Sequence, residues 1–272
     1  MIETFFFVPA DKNRFINKIP DIKADNFILD FEDSIKSSNL NIAIDNISRI
    51  DGLDKFWVRP FLFRDNKIEL KLITKLLSLG VKKIVLPKID KIGQLKKISK
   101  ISNAQGCEFI LLIESAKAFN DLDELISFKG IKIKGLVLGS HDFVNDLEMH
   151  YNIEELKYFR QSIMVKAKAH GVKPIDIASM EIKNGKAFKE DVLSGFNMGY
   201  RAKMILHPLQ IEMLKEVSFF KNEEIQFAIQ VIEKYPNLTE DIEAVNFKGR
   251  ILEKPHLKRI LEILKYNNNE SK

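Results

Sequence analysis

Cysteine is nearly missing from this 272-residue chain: Cys107 stands alone. That excludes an internal disulfide framework and a thiolate metal cage, and it fits a reducing cytoplasm. No apolar run is long enough to span a bilayer, so no membrane partner is expected. Glycine-rich phosphate cradles are absent as well; without a Walker loop or a dinucleotide fingerprint, ATP and NAD chemistry are disfavoured. The histidines, His141, His150, His170, His207 and His256, show no HExxH or paired spacing, which argues against zinc. Zinc-finger spacing and an aromatic RNP pattern are also missing, so no nucleic-acid partner is expected. The formal charge of +5 then reads as a lysine-rich solvated surface, compatible with an anionic small molecule.

What is present is a repeating pattern. Apolar runs rich in Ile, Val, Phe and Leu alternate with stretches of helical period, and eight such pairs can be counted. The strands expected are Thr4 to Pro9, Asn26 to Glu32, Lys55 to Phe61, Lys83 to Lys88, Glu108 to Ser115, Ile133 to Asp142, Lys173 to Ala178 and Lys203 to His207. They are too short and too apolar for a half-exposed antiparallel sheet, and the helices between them suit parallel crossovers. The fold expected is α/β, a TIM (β/α)8 barrel over residues 1–216, with Gly80 and Gly171 closing helices in the left-handed conformation. From about Val217 the pattern changes. EEIQFAIQVIEKYP reads as helix, NFKGRILEKPHL as irregular and KRILEILKY as helix, a C-terminal helical extension over 217–272 that ends in a frayed NNNESK.

Ionisable groups recur at the carboxyl ends of these strands, where a barrel of this kind keeps its chemistry. DFED places Asp30 and Glu32 on one face and turns Asp33 the other way; Asp33 and Asn120 read as helix caps. Arg59 ends the third strand, Lys88 the fourth, Glu114 the fifth and Asp142 the sixth, while Asp176 lies within the seventh. Strand alternation puts Ile110, Leu112 and Glu114 on one face, puts Leu136, Leu138, Ser140 and Asp142 on another, and turns His141 away from Asp142. His141 and His150 are expected at the surface or in packing. Carboxylates gathered at one rim repel each other without a cation, and Mg²⁺ typically takes only one or two protein carboxylates, keeping positions for water and substrate. Glu114 and Asp142 are therefore the expected Mg²⁺ ligands, in a site that Mn²⁺ could also fill. The planar guanidinium of Arg59 suits either a bidentate contact to a substrate carboxylate or a buried ion pair with DFED.

Several segments resemble the citrate lyase beta-subunit-like branch of the HpcH/HpaI aldolase superfamily. FFFVPADKNRF looks like its opening FVPG/A segment, with Arg14 at the arginine, and ADNFILDFEDSI looks like ADxVILDLEDAV. WVRPF stands at its RxN strand, IVLPKID at LPKVE, LLIESAKAF at LIETARG, LVLGSHDFVNDL at FGxxDLxxDLG, and NFKGRILEKPHLKRI at DGxMIDxPHxxxA. GVKPIDIA and GYRAKMILHPLQI match its last two barrel strands. The resemblance implies a divalent metal on Glu114 and Asp142, and a substrate carboxylate on Arg59, with Arg14 also on the substrate side. It further implies Glu32 near the metal waters, Asp176 as acid/base for its own or a neighbouring subunit, a homotrimer or hexamer, and a tail that helps cover an active site. This chain departs from the pattern at Leu40 and Ile44, where family members are basic, and at Pro60, Asp90 and Ala202.

The activity these features imply is cleavage of a carbon-carbon bond in a 3-hydroxyacyl thioester of the malyl, citramalyl or citryl kind. The thioester is carried by CoA or an acyl carrier, and the products are a 2-oxo acid and an acyl thioester. A metal-dependent aldolase of a free 2-oxo acid is the alternative in the same chemistry. A binding or assembly subunit is the alternative outside it.

Overall fold

A computed structural model describes residues 2–64, 67–101, 104–239 and 244–270. The chain divides into two units, Ile2–Glu216 and Val217–Lys272. In the first, eight parallel strands run β1 (Glu3–Pro9), β2 (Asn26–Asp30), β3 (Trp57–Arg59), β4 (Lys83–Leu86), β5 (Glu108–Ile113), β6 (Lys132–Leu138), β7 (Lys173–Ile175) and β8 (Ala202–Ile205). Their order in the sheet is β8-β1-β2-β3-β4-β5-β6-β7. The ring closes just beyond β7, where Asp176 N–H donates to the Ala202 carbonyl at 2.8 Å and Met204 N–H donates to the Asp176 carbonyl at 3.0 Å. All eight expected strands form, and most end short of the expected boundary because the chain turns into its next loop or helix there.

Alternation explains the barrel interior. Phe5, Ile28, Trp57, Val85, Ile110, Leu112, Val137, Ile175, Ala202 and Met204 form one buried cluster to which every strand contributes. The other strand face is covered by helices whose apolar residues recur at helical spacing. In Lys71–Ser78 these are Leu72, Ile73, Leu76 and Leu77, all buried, and each contributes about 1.5–3 kcal/mol relative to exposure. That helix ends where Gly80 takes φ 98°, a conformation that costs a side chain but not glycine.

The strand at Lys132–Leu138 is a correction to the expected one. It stops four residues before Asp142, which lies instead in the first turn of the helix Ser140–Asp146. Inward alternation here belongs to Val137, so Leu136 and Leu138 share the outer strand face, and Ser140 and Asp142 leave it for the helix. Asn120 does not cap a helix; Ser115 caps Ala116–Asn120 by accepting from Ala118 N–H at 3.1 Å.

In the second unit the helices Asn222–Lys234 and Lys254–Glu270 flank a segment expected to be irregular. It is a β-hairpin, Ala244–Phe247 against Arg250–Glu253. Its two-residue turn has φ 49° at Lys248 and 77° at Gly249, the backbone that matches the twist of paired strands. Within NNNESK, the helix runs to Glu270, and Ser271 and Lys272 lie outside the described residues.

Candidate active site

The carboxyl ends of the strands surround a cleft of about 420 Å³. One wall is apolar, from Phe7, Leu112, Val137, Ala178, Met204 and Leu206; the other carries Asp30, Asp33, Arg59, Glu114, His141 and Asp142.

The acidic wall is built from β2. Asp30, only 2% exposed, accepts from the backbone N–H of Glu32 at 3.1 Å and of Ser34 at 3.2 Å, which fixes the DFED turn. Across the sheet, Arg59 donates to it through two parallel bonds, Nε to Oδ1 at 2.6 Å and Nη2 to Oδ2 at 2.8 Å. The remaining nitrogen, Nη1, lies 3.2 Å from Glu32 Oε2 and 3.0 Å from Asp33 Oδ2. Burial works against the Arg59 charge, but the bonds and charge of Asp30 outweigh it and raise its pKa. All three guanidinium nitrogens of Arg59 thus meet acids of DFED, the buried ion pair that the sequence offered as one of two readings, and the outermost of these partners is Asp33, whose side chain is 58% exposed.

The side chain of Glu32 is 8% exposed, and its burial pushes the carboxyl up to about 7 while Arg59 pulls the other way. Its Oε2 is close enough to Arg59 for an ion pair, yet the angle leaves that oxygen without a hydrogen bond. Glu114 follows β5 directly and is 6% exposed. Burial, then repulsion from Glu32, push its carboxyl up to about 8, against the pull of Arg59. It packs on Gly139, where an added Cβ would stand 2.2 Å from Glu114 Cγ, so only glycine admits this rotamer. Asp142 completes the rim with a side chain 40% exposed.

Lys88 joins these acids. It has φ 56°. Its backbone N–H donates to Glu114 Oε2 at 2.7 Å, and its Nζ lies 3.1 Å from Glu32 Oε1 and 3.9 Å from Asp142 Oδ2. Five carboxylates, those of Asp30, Glu32, Asp33, Glu114 and Asp142, thus face two cations, Arg59 and Lys88. That imbalance, the orphaned Glu32 oxygen and an all-oxygen donor set fit a hard divalent cation. Among the described residues no group of three or more His, Cys, Asp and Glu forms a metal cage. A site here would rest on two protein carboxylates with water or substrate completing the shell.

The structure does not bring every expected residue to this cleft. Arg14 is exposed in the short helix Asn13–Ile16 that follows β1, with its guanidinium 4.7 Å from the Phe15 ring. Asp176 is 2% exposed in a separate buried network, where Arg160 donates to it from Nε at 3.0 Å and Nη2 at 2.8 Å, and Lys203 Nζ donates at 3.2 Å. Asp191 balances the second cation, 2.9 Å from Lys203 Nζ. Asp176 is thus held by two buried cations and is not among the residues that line the cleft.

Arg160, Asp191 and Lys88 were not singled out in the sequence for these contacts. Lys203 between Ala202 and Met204 was the available signal, because a lysine inside an apolar strand needs a buried counter-charge. His141, expected to turn away from Asp142, lines the cleft with it, since helical spacing has replaced alternation. Its ring stacks on Tyr151 at 4.4 Å and 8°.

A sequence model of the HpcH/HpaI aldolase/citrate lyase family matches residues 3–208. The mitochondrial citramalyl-CoA lyase of Homo sapiens is 26% identical over 285 residues, covering 93% of this chain and 82% of that protein. The citrate lyase subunit beta of Leuconostoc mesenteroides subsp. cremoris is 23% identical, covering 97% and 93%. Among solved structures, CitE from Mycobacterium tuberculosis in complex with magnesium, acetoacetate and coenzyme A superposes with a TM-score of 0.79 at 19% identity, covering 97% of each chain.

Proposed function

The chain belongs to the HpcH/HpaI aldolase/citrate lyase family, in its citrate lyase beta-subunit-like branch, and on that footing we propose that it is a Mg²⁺-dependent carbon-carbon lyase acting on a 3-hydroxyacyl-CoA thioester. The observation that carries this reading is the convergence of Glu114, Asp142 and Arg59 on one cleft. Glu114 and Asp142 are the residues that would hold the ion, with Mn²⁺ as a substitute of similar oxygen preference. When bound, the ion acts as a Lewis acid toward the hydroxyl and carboxylate oxygens of the acid portion.

The side chains supply the rest. Arg59 Nη1 takes the substrate carboxylate as Asp33, the exposed partner, swings aside; the two bonds to Asp30 keep the guanidinium plane fixed while it does so. Glu32 Oε2, which lacks a donor, accepts the hydroxyl proton. The electron pair of the O–H bond becomes the carbonyl of the 2-oxo acid. The carbon-carbon bonding pair passes to the thioester α-carbon as an enolate, which takes back the proton accepted by Glu32 to give the acyl thioester. Asp176 is proposed as a positioning residue that ties β7 to β8, and Arg14 as a residue of the outer substrate path.

The remaining parts of the reading are a homotrimer or hexamer, a second unit that covers a site, a cytoplasmic location, and a thioester carried by CoA or by an acyl carrier. No helix among the described residues is long and apolar enough to cross a membrane. The test is Mg²⁺-dependent turnover of malyl-, citramalyl- and citryl-CoA in the wild type and in a Glu114→Ala/Asp142→Ala double variant. Full activity in the double variant, or full activity in EDTA, would remove the metal from the proposal. Cleavage of a hydroxy-oxo acid with no thioester present would replace the substrate class.

A further inference from the structure

The backbone at Lys88 is left-handed, φ 56°, in a residue that has a side chain to lose by it. That turn aims the N–H at Glu114 Oε2, 2.7 Å away, and sends the side chain back over the other acids. One residue thereby touches Glu114, Glu32 and Asp142 from two atoms that move independently.

The contacts are unequal. Nζ is within hydrogen-bond distance of Glu32 Oε1 at 3.1 Å, but its 3.9 Å approach to Asp142 Oδ2 is a contact of charges alone. Glu32 has a side chain 8% exposed, whereas Lys88 is 43% exposed and Asp142 40% exposed. The ammonium is therefore anchored at its buried partner and loosely placed at its exposed one.

We propose that Lys88 is a tethered counter-cation for the acid cluster: its ammonium neutralises Glu32 and Asp142 before a divalent ion binds and cedes Asp142 when one arrives, while its backbone N–H keeps Glu114 in place throughout. The inference rests on the reading of Glu114 and Asp142 as the carboxylates that hold the ion. Lys88 is on this account a positioning residue with two opposed effects. It stabilises the metal-free protein, and it weakens ion binding, because a fixed positive charge stands beside the seat of a second one. Reversible binding of the ion follows from that opposition.

Lys88→Met keeps the N–H and the apolar stem and removes the charge. By calorimetry Mg²⁺ should bind this variant about threefold to tenfold more tightly than the wild type, the effect of removing one charge a few ångströms from a divalent ion across partly wet space. The metal-free variant should melt at a lower temperature than the metal-free wild type, and Lys88→Arg should restore both quantities. Lys88→Gln provides the same comparison if the methionine variant does not fold. Unchanged or weaker Mg²⁺ binding in the charge-removed variant, or an unchanged metal-free melting temperature, overturns the role of Lys88. A wild type that binds no Mg²⁺, or that still binds it fully after Glu114→Gln and Asp142→Asn, overturns the underlying metal assignment as well.

Discussion

Replacing Arg59 by methionine cuts the most heavily committed side chain of the cleft. Its two bonds to Asp30, at 2.6 and 2.8 Å, join groups that are 8% and 2% exposed. Removing one partner of a buried pair typically costs about 3–5 kcal/mol, because the other charge stays where water cannot reach it. Two backbone N–H donors, from Glu32 and Ser34, remain on Asp30 and soften that loss. The expected figure is therefore near the lower end, about 3 kcal/mol. Asp30→Asn in the same background should recover part of it, since the charge left behind is gone. Urea denaturation of the wild type, the two single variants and the double variant gives the coupling directly, provided the slopes agree. A loss below about 1 kcal/mol for Arg59→Met, or strictly additive single changes, would refute the buried-pair reasoning. Arg59→Lys carries the functional arm: it keeps the charge but not the planar fork, so KM for the thioester should rise more than kcat falls.

Three further outcomes are expected. Gly139→Ala places a methyl 2.2 Å from Glu114 Cγ and must displace that side chain; the protein should fold, with Mg²⁺ affinity lowered about 10- to 100-fold by calorimetry. Stability of the metal-free protein should fall as pH rises. The Glu114 carboxyl sits at about 8 when folded against an ordinary 4.5, so between those values the unfolded chain gives up its proton first and the folded state is penalised. Glu32, at about 7 when folded, adds to the same slope. Melting scans from pH 5 to 9 should show that decline, Glu114→Gln should flatten it, and a melting temperature that climbs steadily with pH in the wild type would count against it. Asp176→Asn leaves Arg160 and Lys203 sharing Asp191 alone and should cost about 3–5 kcal/mol of stability, while the folded fraction keeps its turnover; lost turnover in a stable variant would return Asp176 to the reaction.

The barrel was legible because each strand is a short run whose inward residues are apolar, as with Phe5, Ile28 and Val85, and a closed sheet is the arrangement that buries eight of them. Glu114 was legible for the same reason, as the next inward position after Ile110 and Leu112. Asp142 was found by a pattern that does not operate there: the strand ends at Leu138, and a helical turn carries the acid to the rim. Lys88 escaped assignment because its role depends on a positive φ that its residue type does not announce. Arg160 lies in the helix Lys157–Ala169, and only the fold brings it onto Asp176, 16 residues away in sequence. The tail hairpin was missed although Lys248 and Gly249 are a turn pair, since the four-residue strands beside them alternate weakly.

Product analysis tests the central claim most directly. The purified protein is incubated with Mg²⁺ and a citramalyl-CoA or malyl-CoA thioester, and the products are separated by mass. A 2-oxo acid and a shorter acyl-CoA in equal amounts, both abolished by EDTA and by the Glu114→Ala/Asp142→Ala variant, is the result expected. Release of free CoA with the intact 3-hydroxy acid would contradict it, because that bond cleavage is hydrolysis of the thioester and leaves the carbon skeleton whole.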